Sequence, residues 1–398
     1  MECTKTIMMG LLRALVLALI PMWALAEAPP VVVGAAVSQS GDLADLASDF
    51  RKGLLLWQDD VNAAGGLLGR HVELLLVDDR SEANRASALY TRLIKEEKAD
   101  LLIGPFGSAA TVGAAAAAER NSRLLLNATG ATQSVLRAGQ RYVFQVAAPY
   151  AVYGEELLGL LRAAGYTKLS VIARDDPASR EMAQSFVERA PRFGLAPGEL
   201  GVYAGATRDF TSLVQAARAA SPDAWIAFGG ETDAAEMVKA MKRAGYAPKL
   251  FFARGAADAR FIGEVGQDAE FLMALSAYEP GFTTPGNALF VQGYAAKWSA
   301  APTLAAAQAY AAGQVLEQAV RKAGSLDQEK LRAALASLEG GTVLGDYRID
   351  PTTGEQLGAR PPVVQVLEGQ PRAVWPRTQA TARWRLPYPR WDERKPIQ

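Results

Sequence analysis

Histidine and cysteine are almost missing from this chain, which has one residue of each among 398. Cys3 lies in an N-terminal apolar segment, so the rest of the chain offers no disulfide, thiolate nucleophile or cysteine-based metal site. His71 begins an apolar strand, and neither a G-x-S-x-G elbow nor an H-E-x-x-H motif accompanies it. Walker A and G-x-G-x-x-G motifs are absent as well. We therefore expect no catalytic residue, no metal site and no cofactor.

The chain also lacks an excess of charge of either sign, because 42 Lys and Arg side chains face 42 Asp and Glu. Proteins that bind nucleic acid carry a basic patch that releases counterions from phosphates. The charged residues here are spread along the sequence. We therefore expect no nucleic-acid partner.

Long hydrophobic runs are limited to one, from Ala14 to Trp23, which follows Lys5 and Arg13. About ten apolar residues cannot cross the ~30 Å of hydrocarbon in a bilayer. Ala24-Leu25-Ala26 fits the small-x-small pattern of a signal peptidase site. The segment therefore predicts a cleaved secretory signal over residues 1–26 rather than a membrane anchor. No cysteine stands beside the cleavage site, which argues against a lipid anchor.

The stretch from Asp59 to Asp79 shows how the remaining chain is built. It combines a helix end, a Gly65-Gly66 turn, and the apolar run Val72 to Val77. Helix, tight turn and strand alternate in this way from Val31 to about residue 146, and again from Tyr153 to about residue 253. Such alternation predicts two doubly wound parallel α/β lobes, with ligands beyond the carboxyl ends of the strands.

Two motifs resemble the periplasmic binding proteins of the leucine/isoleucine/valine type, which are type I receptors of ABC importers. They are the N-A-x-G-G-x-x-G-R block at residues 62–70 and the G-P-x-x-S loop at residues 104–108. The resemblance implies a three-segment hinge with the ligand cleft between the lobes. It places residues 27–146 and 277–345 in the N-terminal lobe and residues 147–276 and 346–376 in the C-terminal lobe. Residues 377–398 form a tail rich in Pro, Arg and Trp.

The expected site on the N-terminal lobe suits a carboxylate. Ser108 stands at a helix N-terminus, where free N–H groups and the helix dipole favour an anion. The segment Gly130, Ala131 and Thr132 follows a neighbouring strand and can add N–H and hydroxyl donors. In the related proteins the loop serine and a small-x-Thr segment hold the α-carboxylate of an amino acid, and these positions fall here on Ser108 and on Gly130 and Thr132. The resemblance also places Ser40 at the cleft. From the residues alone, Ser108 is better explained as a helix cap and Thr132 as a turn residue.

The expected site on the C-terminal lobe comprises Tyr150, Glu231 and Arg254. Amino-acid binders of this family carry an acid near the Arg254 segment that pairs with the ligand ammonium, and this sequence has none in register. Glu231 replaces it in one interpretation. In another, Arg254 recognises a second carboxylate, since its planar fork suits bidentate pairing. In a third interpretation, Arg254 is solvated at the rim of the cleft and contacts no ligand. Tyr203 is a further candidate for an aromatic wall.

The resemblance implies a monomeric periplasmic protein that closes on a small carboxylate-bearing ligand and then contacts ABC permease subunits. A divergent branch of these proteins accompanies PQQ-dependent alcohol oxidation systems. An alternative is therefore a periplasmic sensor or accessory binding protein for an alcohol-derived or aromatic acid. The sequence leaves the role of the tail open.

Overall fold

The computed structural model of the chain describes residues 28–136 and 139–394. The predicted signal sequence, residues 1–26, lies outside the described residues. Within the described ranges, no helix has the length and apolar character needed to span a bilayer.

The first lobe begins with a five-stranded parallel sheet of order β2-β1-β3-β4-β5. Its interior strand β1 has the sequence VVVGAAV and is almost wholly buried, as expected for a strand covered on both faces. The elements of this part are β1 (Val31–Val37), α1 (Ala44–Ala63), β2 (Val72–Asp78), α2 (Ala86–Lys95), β3 (Leu101–Ile103), α3 (Ser108–Arg120), β4 (Leu125–Asn127) and β5 (Val143–Gln145).

The second lobe is built on a seven-stranded sheet of order β14-β13-β10-β9-β8-β6-β7. Strands β6 to β10 are parallel, and alternation with helices explains this direction. Its first elements are α4 (Glu155–Ala164), β6 (Leu169–Arg174), α5 (Pro177–Arg189), β7 (Gly201–Tyr203), α6 (Thr211–Ala220), β8 (Ala224–Phe228), α7 (Glu231–Arg243), β9 (Phe251–Ala253), α8 (Ala259–Val265) and β10 (Met273–Leu275).

After β10 the chain crosses to the first lobe, and it later crosses back to the second lobe. Helices α9 (Asn287–Trp298), α10 (Leu304–Ala323) and α11 (Gln328–Ala336) pack in the same apolar core as β1 and α1. A two-stranded hairpin follows, formed by β11 (Glu339–Thr342) and β12 (Gly345–Arg348). The antiparallel strands β13 (Val363–Leu367) and β14 (Gln370–Trp375) then extend the second sheet beside β10.

Three segments therefore connect the two sheets: residues 146–154, 276–286 and 349–362. We call them the first, second and third crossing. Antiparallel β13 lies against β10, so the end of β13 is near the start of β10, on the edge opposite the carboxyl ends of the parallel strands.

The predicted α/β alternation is confirmed, and three details differ. The apolar run Phe271 to Tyr278 contributes only Met273–Leu275 to a sheet. Helix α8 was not predicted. The sequence from Val343 onward predicts hairpin strands, and the hairpin of β13 and β14 agrees with this prediction. The chain also forms an earlier hairpin that starts at Glu339, where Gly340 and Gly341 allow close packing. A Cβ on Gly340 would lie 2.1 Å from the Gln318 Oε1 atom on α10.

The glycine-rich turn after α1 has a clear steric reason. Gly66 has φ +75°, and a Cβ there would lie 1.9 Å from the carbonyl oxygen of Arg70. The Arg70 guanidinium donates to the carbonyl oxygens of Pro29 and Pro30 at 2.7 and 3.0 Å. The block therefore positions β1 and β2, whose carboxyl ends carry cleft loops.

Candidate functional site

The loop that carries Ser108 and the loop after β4 are fixed to each other by one threonine. The Thr129 hydroxyl donates to the Pro105 carbonyl at 3.0 Å and accepts the Gly107 N–H at 2.8 Å. Thr129 is 9% exposed, so both hydrogen bonds are shielded from water. Ser108 and the Gly130 to Thr132 segment are thus held together at the carboxyl ends of β3 and β4.

Ser108 begins α3 and offers unused donors. It is half-buried, and its hydroxyl forms no hydrogen bond with any described residue. The first bond of the helix runs from the Thr111 N–H to the Gly107 carbonyl, so the N–H groups of Ser108, Ala109 and Ala110 have no partner in the helix. These groups and the helix dipole together favour a bound anion.

The three residues predicted after β4 differ in what they offer. The Gly130 N–H already donates to Asn127 Oδ1 at 2.7 Å, so this glycine shapes the loop and does not supply a free donor. A Cβ at Gly130 would lie 3.0 Å from the Thr111 Cβ. The N–H groups of Ala131 and Thr132 have no acceptor among the described residues. The Thr132 hydroxyl shares a 2.8 Å hydrogen bond with Ser134.

Ser40 is used within the protein. Its hydroxyl donates to Asp78 Oδ2 at 2.7 Å, and its N–H approaches Asp78 Oδ1 at 3.3 Å. Burial opposes ionisation of Asp78, but the hydrogen bonds from Ser40, Arg80 and Gln39 outweigh it and lower the pKa to about 2. The Ser40 hydroxyl is therefore committed to an ionised carboxylate and cannot donate to a ligand at the same time.

Tyr150 joins the first-lobe loop to the second lobe. Its N–H donates to the Ala131 carbonyl at 2.9 Å, and its ring meets the Tyr153 ring edge-on with centroids 5.2 Å apart. Burial raises the pKa of Tyr153, and the charge of Arg254 opposes that rise. The hydrogen bond and the ring contact therefore link Ala131, Tyr150 and Tyr153.

The two predicted loops of the second lobe lie side by side. The Arg254 Nε atom donates to the Gly229 carbonyl at 3.1 Å, and a Cβ on Gly255 would lie 2.4 Å from the Glu231 nitrogen. Arg254 is half-buried, and its terminal nitrogens form no ion pair with a described residue. Glu231 is 38% exposed and lies 3.8 Å from Arg260. The structure thus brings Arg254 and Glu231 together, with Arg254 anchored by one of its donors.

Tyr203 supports the loop that contains Gly230 and Glu231. Its hydroxyl donates to Asp233 Oδ2 at 3.0 Å, and Asp233 also accepts the Gly230 N–H at 3.2 Å. The Tyr203 side chain is buried at the base of the loop. It therefore holds the loop and does not form an exposed aromatic wall.

Glu279, which the sequence interpretation missed, lies on the second crossing just after β10. It is half-buried and forms no ion pair with a described residue. Burial raises its pKa to about 7; a hydrogen bond with Ser276 opposes the rise, and the nearby Asp258 carboxylate adds to it. Asp258 lies on the turn after Arg254. The signal in the sequence that points to Glu279 is an acidic residue four positions after the end of a strand, at the edge of the cleft.

Two buried glutamines connect the site to the hinge. Gln145, at the end of β5, donates from Nε2 to the Gly130 carbonyl at 3.3 Å. Its Oε1 accepts the N–H of Gln356 on the third crossing at 3.3 Å, and Gln356 Nε2 donates to Val146 at 3.2 Å. Hydrogen bonds therefore connect the third crossing, through these two glutamines, to the loop that contains Ala131 and Thr132.

The family of periplasmic binding proteins has a sequence model that matches residues 30–370. An amino acid binding protein of Pseudomonas aeruginosa is 25% identical over 330 residues, which are 80% of this chain and 86% of the relative. The crystal structure of a leucine binding protein from Thermotoga maritima has a TM-score of 0.70 and 23% identity, with 86% of this chain and 97% of that chain covered.

A solute binding protein of an ABC transporter from R. palustris, solved in complex with benzoate, has a TM-score of 0.69 and 22% identity. The match covers 87% of this chain and 95% of that one. At these identities the two solved structures show the fold alone. The family match confirms the resemblance that the Gly65-Gly66 block and the Ser108 loop indicated.

Proposed function

Since the chain belongs to the periplasmic binding protein family, we propose that it is the solute-binding component of a branched-chain-amino-acid-type ABC importer. Members of the family are periplasmic solute-binding proteins and are not enzymes. The proposed ligand is a small molecule that carries a carboxylate. Closure of the two lobes around it would produce the form that membrane permease subunits recognise.

The observation that carries the proposal is the set of unused donors around Ser108. The Ser108 hydroxyl and the N–H groups of Ala131 and Thr132 have no acceptor among the described residues. They lie at a helix N-terminus on loops that Thr129 holds together. An ionised carboxylate accepts several hydrogen bonds at once and gains from the helix dipole.

The rest of the ligand would meet the second lobe. A ligand ammonium would find acids in Glu279, Asp258 and Glu231. A ligand without an amino group would instead meet the half-buried Tyr150 ring and the terminal guanidinium nitrogens of Arg254, which form no ion pair with a described residue. The binding of an amino acid by the Pseudomonas relative and of benzoate by the R. palustris protein makes both classes reasonable tests.

An aromatic acid would favour the second candidate function, an accessory binding protein or sensor in a PQQ-dependent alcohol oxidation system. The observation in its favour is that Arg254, rather than an acid, directly follows β9, and its terminal nitrogens form no ion pair with a described residue. Under either function we propose that residues 1–26 are a cleaved signal and that the mature chain works as a monomer in the periplasm. We also propose lobe boundaries at residues 146, 276 and 345.

A thermal-shift screen of residues 27–398 tests the proposal. The panel contains leucine, valine, benzoate, dicarboxylates and short alcohols, because a ligand that binds the folded state raises the melting temperature. We expect a rise of the melting temperature with at least one carboxylate and none with the short alcohols. A response to alcohols alone, or one unchanged in the Ser108→Ala variant, would contradict it. Uptake of the labelled ligand by cells that lack the gene then separates transport from sensing.

A further inference from the structure

The segment from Gly369 to Trp391 carries positive charge that the rest of the chain does not. It contains five arginines and no Asp or Glu, in a protein with equal numbers of acidic and basic side chains. Arg390 forms ion pairs with Asp392 and Glu393 at 3.4 and 3.6 Å. The other arginines of the segment, which are Arg372, Arg377, Arg383 and Arg385, are exposed and form no ion pair with any described residue.

Three of these arginines line one groove, with a volume of about 380 Å³. We call it the basic groove. It lies between the β13–β14 turn and the arm of chain that follows β14. The residues that line it are Leu367, Glu368, Arg372, Thr381, Ala382, Arg383 and Arg385. Glu368 is the one acid among these lining residues.

The arm presents its arginines in a fixed position. The Thr381 N–H donates to the Ala373 carbonyl at 2.8 Å, and the backbone of Arg385 exchanges two 2.9 Å hydrogen bonds with the buried Gln365 side chain. Further along, Tyr388 and Trp391 are anchored to the carbonyls of Phe251 and Tyr246 at 2.7 and 2.8 Å. Fixed backbone positions reduce the entropy that the arginines lose on binding a partner.

We propose that the basic groove binds an acidic peptide segment of another protein. Guanidinium groups pair bidentately with carboxylates, and three such groups with one acid leave the groove positive. The groove lies at the edge of the second sheet opposite the ligand cleft, because the β13–β14 turn is near the start of β10. A partner in the groove therefore leaves the ligand cleft free.

A membrane surface fits this region less well than a peptide. Helices and loops that bind bilayers insert apolar side chains beside their basic residues. The large exposed hydrophobic residues of the described chain are Leu46, Leu68, Val202, Leu289 and Leu304, and none lies in this region. The indoles of Trp375, Trp384 and Trp391 pack against the second-lobe core.

Fluorescence anisotropy with a labelled octaglutamate peptide tests the proposal on residues 27–398 at low salt. The variant Arg372→Glu/Arg383→Glu/Arg385→Glu should weaken binding by at least about tenfold, since each hydrogen bond between charged groups contributes more than a neutral one. The matched control Arg51→Glu/Arg162→Glu/Arg192→Glu reverses three exposed arginines elsewhere and should change the Kd less than about twofold. The triple Arg→Gln variant removes the same charges without reversing them, and it serves if the reversed charges disturb folding. Its Kd should lie between those of the parent and the charge-reversed variant.

Each other outcome overturns the proposal. Equal weakening in both triple variants would show attraction to net charge alone, and absence of peptide binding by the parent protein would show that the groove has no such partner. Sedimentation with phosphatidylglycerol vesicles is the third measurement. Vesicle binding that depends on Arg372, Arg383 and Arg385, without peptide binding, would assign the groove to a lipid surface. Melting temperature and ligand response of each variant report whether the cleft is intact.

Discussion

The carboxylate of Glu181 accepts the backbone N–H of Gln133 at 3.2 and 3.3 Å to its two oxygens. Glu181 lies on α5 of the second lobe, and Gln133 follows Thr132 on the first lobe. The contact therefore joins the lobes directly, through two residues that belong to none of the three crossings. Burial raises the pKa of Glu181, the bond from Gln133 opposes the rise, and the Glu355 carboxylate adds to it.

Loss of this contact should favour separation of the lobes. We expect the Glu181→Ala variant to have a larger radius of gyration without ligand, measured by small-angle X-ray scattering, because the Gln133 N–H loses its acceptor. Glu181→Gln keeps an acceptor oxygen without the charge and should show a smaller change. Glu188→Ala, an exposed position on the same helix, is the control. Identical scattering from all three variants would show that the contact does not bias closure.

Ser108 and Ser40 should respond differently to the same substitution. Ser108→Ala should weaken binding of the ligand found by the thermal-shift screen by about ten- to a hundredfold, since a hydrogen bond to a carboxylate contributes about 1.5–3 kcal/mol. Its melting temperature without ligand should barely change, because its hydroxyl has no described partner. Ser40→Ala removes the hydrogen bond to Asp78 and should leave affinity unchanged. Isothermal titration calorimetry measures the affinity of both variants. Weaker binding in Ser40→Ala and unchanged binding in Ser108→Ala would place the carboxylate site at the Ser40 loop.

The order of helices and strands was readable from the sequence because each strand is a short apolar run and each helix has one apolar face. Val31–Val37 and Leu304–Ala323 are examples. The start of β11 was not readable, since Glu339, Gly340 and Gly341 have low strand propensity. Gly340 is needed for close approach to Gln318 on α10, and Gly341 for close approach to Pro285 on the second crossing. Both requirements appear only once the chain is folded.

The site was predictable as a set of loops but not as a set of donors. A helix N-terminus at Ser108 follows from the local pattern. That the Gly130 N–H and the Ser40 hydroxyl are already used by Asn127 and Asp78 depends on pairings between separate loops. Glu279 belongs to no recognisable sequence motif, and its pKa depends on burial between segments far apart in the chain.

Glu279 should make stability depend on pH. Burial raises its pKa to about 7, above the ordinary 4.5, so between these values the folded protein binds more protons than the unfolded chain. Its favourable contribution is therefore complete below about pH 4.5 and is lost as pH rises through 7. Relative to the parent, Glu279→Gln should gain urea resistance between pH 5 and 8. Glu188→Gln, which is exposed, should not. Parallel pH profiles for parent and Glu279→Gln would refute the prediction.

The same residue separates the two ligand classes. An ammonium-bearing ligand that pairs with Glu279 favours its ionised form, so affinity should rise between pH 5.5 and 7.5 and lose this dependence in Glu279→Gln. A ligand without an amino group should bind less well as Glu279 ionises. Titration calorimetry at several pH values measures the dependence. Equal pH dependence in the parent and the variant would place Glu279 outside the ligand contacts.

The arm after β14 should stabilise the second lobe through Tyr388. Its buried hydroxyl donates to the Phe251 carbonyl at 2.7 Å, so Tyr388→Phe leaves that carbonyl without this donor and should cost about 1–3 kcal/mol of unfolding free energy. Tyr347→Phe is the matched control, because its hydroxyl is equally buried but has no partner among the described residues. Removing it should be neutral or stabilising, since an unsatisfied buried hydroxyl carries a desolvation cost. Urea unfolding followed by tryptophan fluorescence compares them. Equal losses in the two variants would mean that packing of the ring, rather than the hydrogen bond, holds the arm.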